Sequence, residues 1–154
     1  VTSIIPGDFG GNLDLKELTA GAILYLPVFN DGALFACGDG HAAQGNGEVC
    51  ITAIETSLNG TFKMHVHKGE TLTMPRAETP SHYICMGIDP DLNEAAKQAL
   101  REMIKFITER TPLSAADAYS LCSITCDMNC TQLVNQHKGV HAMLPKDVLK
   151  GAGG

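Results

Sequence analysis

Side chains that can do chemistry are concentrated between residues 38 and 48. Four candidate side chains, which offer two carboxylates, an imidazole and an amide, lie there among four glycines: Asp39, His41, Gln44 and Glu48. Such groups bind a divalent metal such as zinc, and they also serve as general base and proton shuttle. Glycine lets the backbone bend sharply or approach a ligand closely. The stretch predicts either a site of this kind or a turn-rich loop with solvated polar side chains.

A second stretch that is rich in glycine and aspartate lies upstream, from residue 7 to residue 14. Asn12 and Asp14 alternate there, so in an extended segment their side chains point the same way. An asparagine offers both a donor and an acceptor to an amide, and an aspartate offers a ligand or a base. The alternative is an Asx-type turn in which these side chains bond the backbone.

Two further candidates lie farther along the chain. His65 and His67 would share one face of a strand, which is the spacing of a strand-borne zinc pair and also that of an ordinary exposed face. Lys63 shares this face, and a cation beside a metal is unfavourable, so the exposed face is favoured. Glu55 falls inside an apolar strand candidate, where a carboxylate is either on the wet face or buried with a partner.

The spacing of the cysteines and the lack of a nucleophile motif limit the kinds of active site that this sequence can encode. Cys122, Cys126 and Cys130 are spaced four apart and would form a stripe on a helix. Structural zinc usually needs a second pair of ligands, so these thiols are read as small buried hydrophobic groups. The sequence contains no G-x-S-x-G nucleophile elbow. For a hydrolase, metal-activated water is then the expected nucleophile.

The elements that must position these groups are strands first and helices afterwards. Apolar or alternating runs predict strands at residues 22–28, 49–57, 62–66 and 82–88. A capping-box pattern at Asp91 and Glu94 begins a helix with one apolar face through about residue 108. Ser114 and Asp117 cap a second helix, and residues 140–144 predict a last strand.

The expected fold class is α+β, with a β-rich, sandwich-like core from the first 90 residues or so, then two helices and a short C-terminal strand. Residues 1–150 are expected to form a single unit, and residues 151–154 a flexible tail. The net charge of −6 comes without a basic cluster, so no nucleic-acid partner is expected. No apolar run approaches the ~20 residues of a membrane span. The first residues lack a signal-peptide pattern, so a cytoplasmic location is expected.

Several of these segments, in this order and spacing, resemble the acetamidase/formamidase family. They are residues 10–14, 24–28, 38–48, 52–55, 82–89, 91–92, 117–119 and 144–146. The resemblance spans nearly the whole chain and corresponds to the C-terminal half of a typical member. It implies hydrolysis of a small amide, such as formamide or acetamide, to the acid and ammonia by a metal-associated, β-rich, oligomeric protein.

The resemblance also implies which residues form the site: Asn12, Asp14, Asp39, His41, Gln44, Glu48 and Glu55. For their roles, our hypothesis is that Asp14, Asp39 and His41 hold a divalent metal, with zinc expected and calcium as the alternative. Glu48, Gln44 and Asn12 are the hypothesised catalytic residues. In this interpretation Glu48 takes a proton from water and passes it to the leaving nitrogen, while the two amides orient the substrate.

Two departures from the family lead to further expectations. Typical members are about twice as long, so activity is expected to require an N-terminal half, and the partner is either that half or further copies in a homo-oligomer. Asn46 stands where the family usually has aspartate. The alternative functions are a non-catalytic metal-binding β domain that uses His65 and His67, and an assembly module without activity of its own.

Overall fold

The fold combines two antiparallel sheets with helices, and the predicted α+β class is confirmed. A computed structural model describes residues 2–150, so the predicted tail at 151–154 lies outside the described residues. The strands are β1 (Ile23–Tyr25), β2 (His41–Ala43), β3 (Ile54–Glu55), β4 (Arg76–Glu78), β5 (His82–Asp89), β6 (Asp127–Gln132) and β7 (Lys138–Pro145). The helices are α1 (Leu92–Thr108), α2 (Ala115–Thr125) and α3 (Lys146–Lys150). The larger sheet has the order β1-β4-β5-β7-β6, and β2 pairs with β3 in a separate ribbon.

Both long helices begin where the sequence predicted. The side chain of Asp91 accepts hydrogen bonds from the backbone of Asn93 and Glu94 at the start of α1. Ser114 accepts a hydrogen bond from the backbone N–H of Asp117 at the start of α2. These caps satisfy amides that have no partner within the helix, and they depend only on neighbouring residues.

The centre of the larger sheet is buried on both faces. Cys85 of β5 belongs to a core formed with α1, α2 and β7. The neighbouring residues Ile84, Met86 and Ile88 face the other way and pack with Leu13 and Leu15. Because an N-terminal segment covers this second face, the fold brings the stretch around Asn12 and Asp14 onto the sheet.

Gly87 of β5 lies where α1 crosses the sheet most closely, and we expect Gly87→Ala to destabilise the fold. A Cβ at this position would lie 2.0 Å from the carbonyl oxygen of Ala95 and 2.5 Å from the amide nitrogen of Ala99, so the helix would have to move. Overpacking of this kind costs about 1–3 kcal/mol. Urea unfolding should therefore show a lower midpoint. Gly38→Ala is the matched control, since a Cβ there meets nothing within 4 Å; equal midpoints for the two variants would contradict the prediction.

The predicted strands between residues 22 and 66 are largely wrong. The run at 22–28 forms only the three-residue strand β1, which is partly exposed rather than buried. The run at 49–57 forms only the two-residue strand β3, and residues 62–66 form no strand. A strand persists only where a neighbouring strand pairs its N–H and C=O groups; in these runs the described residues supply such pairing only at Ile23–Tyr25 and Ile54–Glu55.

The C-terminal part contains more structure than the single strand predicted for it. Residues 140–144 lie within β7, as expected, and β7 pairs with β5 from His82↔Pro145 to Asp89↔Lys138. β6 and the short helix α3 were not predicted. Within residues 2–150, no helix combines the length and the apolar character that a membrane crossing requires.

Candidate active site

The ribbon of β2 and β3 places a histidine opposite a carboxylate. His41 is the register partner of Glu55 in this antiparallel pair. Gly40 allows the close approach, because a Cβ there would lie 2.6 Å from the carbonyl oxygen of Thr56. Glu55 was a secondary candidate from the sequence, and the structure brings it to His41.

Backbone hydrogen bonds between Gly47 and the end of β6 position Glu48. The backbone N–H of Gly47 donates to the carbonyl of Thr131 at 3.0 Å, and the N–H of Leu133 donates to the carbonyl of Gly47 at 3.0 Å. These bonds hold the end of the 38–48 loop against the larger sheet. Glu48 is consequently only 7% exposed.

His41 lies at the centre of the loop's side-chain contacts. Its Nε2 lies 2.8 Å from Glu55 Oε2 and 3.3 Å from Asp39 Oδ1. Its Nδ1 lies 2.8 Å from Gln44 Oε1, while Gln44 Nε2 donates to the carbonyl of Asp14 at 2.7 Å. Since Gln44 uses its N–H group on Asp14, its oxygen accepts from His41, which therefore carries hydrogen on Nδ1. This leaves Nε2 facing the carboxylates.

The surroundings also change the proton affinity of the imidazole. Burial opposes the charged form of His41. The hydrogen bond to Gln44 and the negative charges of Asp39 and Glu55 outweigh it, and together they raise the pKa of His41. The ring is thus held in an environment that favours positive charge.

Two groups of three possible ligands meet at His41. One consists of Asp14, His41 and Glu48, and the other of Asp39, His41 and Glu55; within each, the ligand atoms all lie within 4.8 Å of one another. Burial, followed by the charge of Asp14 and a hydrogen bond with it, raises the pKa of Glu48 to about 7. Burial likewise raises the pKa of Asp14.

The carboxylates and the imidazole of these two groups are suited to binding a cation. Among residues 2–150, no salt bridge joins a lysine or arginine to any of these four carboxylates. No lysine or arginine charge therefore offsets the mutual repulsion of the acids, and a divalent ion would relieve it. Carboxylates and one imidazole are suitable ligands for such an ion.

The backbone at three of these residues is strained. Asp14, Asp39 and Glu48 have φ angles of 51°, 64° and 40°, in the left-handed region that residues with a side chain rarely adopt. Such a conformation costs of order 1–3 kcal/mol and persists only where surrounding contacts impose it. The same conformation occurs at Ala33, Leu34 and Ile51, so it does not by itself distinguish the site residues.

Asn135 is a site residue that the sequence did not single out. Its Nδ2 donates to Asp14 Oδ2 at 2.8 Å, and its Oδ1 accepts from Asn12 Nδ2 at 3.2 Å. The backbone N–H of Asn135 in turn donates to Oε1 of the buried Gln132 at 3.0 Å. Asn12 and Asp14 are therefore connected through a turn that is remote in sequence, and no local pattern in that turn signals the connection.

The remaining candidates lie away from this cluster. His65 and His67 are exposed and belong to neither ligand group among the described residues. The three cysteines interpreted as small buried hydrophobic groups differ in burial: Cys122 is buried in α2, whereas Cys126, the C-cap of α2, and Cys130, in β6, are half-buried. Asn46 is exposed.

The raised pKa of Glu48 predicts a pH-dependent stability of the metal-free chain. Its pKa is about 7 in the folded state, against the ordinary value of 4.5 for a glutamate. Protonated Glu48 therefore favours the folded state below pH 4.5, and this contribution is lost as the pH rises through about 7. We expect urea unfolding in a chelator to show about 1–3 kcal/mol less stability at pH 8 than at pH 5. Glu48→Gln should flatten the dependence, and the same slope in both proteins would contradict this assignment.

Comparisons of this chain with a family model and with curated proteins identify the same family. The model of the acetamidase/formamidase family matches residues 2–150. The chain is 42% identical over 65 residues to the acetamidase of Mycolicibacterium smegmatis, which is 42% of this chain and 16% of that protein. It is 48% identical over 48 residues to the formamidase of Methylophilus methylotrophus, which is 30% of this chain and 12% of that protein.

Solved structures share the fold. The acetamidase of Bacillus halodurans superposes with a TM-score of 0.95 at 36% identity, over 100% of this chain and 52% of that chain. The acetamidase/formamidase of Thermoanaerobacter tengcongensis gives a TM-score of 0.88 at 30% identity, over 99% of this chain and 50% of that chain. The chain thus spans about half the length of these structures. Since the family model covers nearly every residue, this chain belongs to the acetamidase/formamidase family.

Proposed function

We propose that this chain carries the catalytic loop of a metal-dependent amidohydrolase that converts short linear amides, of the formamide and acetamide type, to carboxylic acid and ammonia. The observation that carries the proposal is the convergence of Asp14, His41 and Glu48 to within 4.8 Å in a member of this family. The names of the curated relatives, acetamidase and formamidase, support the substrate class.

Asp14, Asp39 and His41 are the residues we assign to a divalent ion; Asp14 and Asp39 belong to different ligand groups, which share His41. Gln44 supports the part of this assignment that joins His41 to Asp39, because it fixes the imidazole with Nε2 toward Asp39 and Glu55. A ligand histidine is commonly oriented in this way by a partner on its other nitrogen. Zinc is the ion we propose, and calcium is the alternative because the set is rich in carboxylate oxygens. When bound, such an ion lowers the pKa of water toward neutrality.

Glu48 is the residue we assign to proton transfer. Its pKa of about 7 supports this assignment, because a carboxyl with such a pKa can exchange a proton near neutrality. A cation nearby lowers this pKa, so Glu48 would be ionised and able to accept a proton from water at neutral pH. The leaving nitrogen departs as ammonia only after it gains a proton, and Glu48 can return the one that it took.

Asn12 and Gln44 are the amides we assign to substrate orientation. Asn12 is held by Asn135, which also binds Asp14, so it lies beside the ligand cluster. The side-chain oxygen of Gln44 already accepts a hydrogen bond from His41, and its N–H group already donates to the carbonyl of Asp14. We therefore propose that Gln44 acts on the substrate indirectly, by fixing these two residues.

We further propose that turnover requires association with an N-terminal half of the fold, or with further copies in a homo-oligomer, in a cytoplasmic protein. Beside the loop is an open depression of about 530 Å³, lined by residues 43–45 and 52–54. A hydrolase site works best when bulk water is excluded, and the described residues leave this side uncovered. Additional chain would supply the missing wall.

The test combines metal analysis with an assay. The purified chain is examined for bound metal, and ammonia release from formamide and acetamide is measured. The assay uses the chain alone and the chain mixed with the unmatched half of the Bacillus halodurans acetamidase. We expect bound zinc in both samples and ammonia release mainly in the mixture. Absence of both metal and ammonia in both samples would overturn the proposed function.

A further inference from the structure

Strand β6 contains one extra residue near its end. Cys130 pairs with Val140 and Gln132 pairs with Gly139, so two steps along β6 oppose one step along β7. Thr131 therefore forms a β-bulge, a feature that redirects side chains and is frequent beside active sites. Thr131 is fully buried, and so is Gln132. Two polar side chains placed in this way must find their partners inside the protein.

The partner of the Thr131 side chain is a buried histidine, which faces a carboxylate. Thr131 Oγ1 lies 2.7 Å from Nδ1 of His141, and His141 Nε2 lies 3.5 Å from Oε2 of Glu17. Among the described residues, neither this Nε2 nor this Oε2 has a hydrogen-bond partner, and both atoms are buried. Burial opposes the charged form of Glu17, but the adjacent imidazole outweighs burial and lowers the pKa of Glu17. We call Thr131, His141 and Glu17 the buried triad. Because a buried polar group without a partner is costly, each member holds the next in place.

The buried triad has the composition of a hydrolytic triad but not its accessibility. A hydroxyl, an imidazole and a carboxylate in an open cleft would act as nucleophile, base and orienting group. Thr131 and His141 are both 0% exposed, so a substrate does not reach the hydroxyl. The role of the buried triad must therefore be exerted on neighbouring protein groups.

Two routes lead from the end of β6 to the candidate active site. The backbone N–H of the residue before Glu48 donates to the carbonyl of Thr131 at 3.0 Å. The next residue of β6, Gln132, accepts from the backbone N–H of Asn135, whose side chain donates to Asp14. Ligand atoms of Glu48 and Asp14 lie within 4.8 Å of each other. Adjacent residues of β6 thus hold the two carboxyl groups that meet in the site.

We propose that the members of the buried triad are positioning residues, which lock the end of β6 and thereby set the placement of Glu48 against Asp14. This inference rests on the proposed function, because it assigns the buried triad to the same site. A shift of the bulge would move the carbonyl of Thr131 and the side chain of Gln132 together, so both routes would be disturbed at once. Groups that orient a metal ligand from behind commonly change metal affinity by about 10–100-fold.

The experiment removes the hydroxyl of Thr131 while it preserves the shape of the side chain. Thr131→Val leaves Nδ1 of His141 without its partner, whereas Thr131→Ser retains the hydroxyl. In the metal-free chain we expect amide exchange at Gly47 and Leu133, which bond this end of β6, to be at least about 10-fold faster in Thr131→Val. Calorimetry should show a zinc affinity at least about 10-fold lower in this variant. Thr131→Ser should restore both quantities to within about 2-fold of the parent chain.

Thr111→Val is the matched control, since it makes the same change at another half-buried threonine. The Thr111 hydroxyl donates to the carbonyl of Ile107 at 2.9 Å, a contact that involves none of the site residues. Its loss should leave exchange at Gly47 and zinc affinity within about 2-fold of the parent chain. If Thr131→Val does not fold, Glu17→Gln makes the same test, because it removes only the charge that faces His141.

The outcomes separate this inference from the proposed function. Unchanged zinc affinity in Thr131→Val, with or without a lower urea midpoint, would mean that the buried triad stabilises the fold without positioning the site, and the inference would be wrong. The proposed function would then still stand. If the parent chain binds no zinc, the proposed function fails, and exchange at Gly47 decides the inference: equal rates in the parent chain and Thr131→Val would overturn it.

Discussion

Replacement of His41 by alanine is expected to lower the affinity of this chain for zinc by at least about 100-fold. Loss of a group that merely orients a ligand commonly costs about 10–100-fold, and His41 is itself the residue shared by both ligand groups. Without the imidazole, four carboxylates remain close together with no nitrogen ligand. Titration calorimetry with zinc on the metal-free chain measures the effect.

His65→Ala is the matched control for this measurement. His65 is exposed and belongs to neither ligand group, so its removal should leave zinc affinity within about 2-fold of the parent chain. A circular-dichroism spectrum and a urea midpoint for each variant separate lost ligation from lost folding. If His65→Ala removes the metal while His41→Ala retains it, the metal site lies on the exposed segment and the loop-centred assignment is wrong.

Glu48→Gln is expected to lower ammonia release by about 10²–10⁴-fold while zinc stays bound. Glutamine preserves the size and hydrogen-bonding capacity of the side chain but neither accepts nor returns a proton at neutral pH. Asp14, Asp39 and His41 remain to hold the ion. The rate is measured on formamide and acetamide in the complex with the second half, and bound zinc is measured on the same sample.

Asp127→Asn makes the same carboxylate-to-amide change at an exposed position on β6 and should leave the rate unchanged. Loss of zinc together with activity in Glu48→Gln would place Glu48 among the metal ligands. Full activity in Glu48→Gln would mean that Glu48 takes no part in proton transfer. Another acid near the leaving nitrogen would then be required.

Features encoded by neighbouring residues could be predicted from the sequence. Asp91 and Ser114 cap their helices because the groups that they satisfy lie two or three residues away. The 38–48 loop was recognisable because its acids, imidazole and glycines are adjacent in the chain. The two glycine-and-acid stretches were also correctly matched to one family.

The local pattern alone wrongly predicted strands at 49–57 and 62–66, of which only Ile54–Glu55 forms one. Alternation and β-branching describe a segment that is able to form a strand, but the hydrogen bonds come from another segment. β5 has such neighbours on both sides and runs for eight residues. Residues 62–66 have none among the described residues, so the same kind of pattern gives an open, exposed run.

For the candidate site, the sequence by itself determined which groups are available and that residues 38–48 hold most of them. Tertiary structure decided which of these groups meet. Asn135 reaches Asp14 across 121 residues, and β3 brings Glu55 to His41. Tertiary structure also decided the proton affinity of Glu48, because burial and the charge of Asp14 raise its pKa to about 7. Burial and through-space charge depend on three-dimensional proximity, which residue spacing in the chain does not specify.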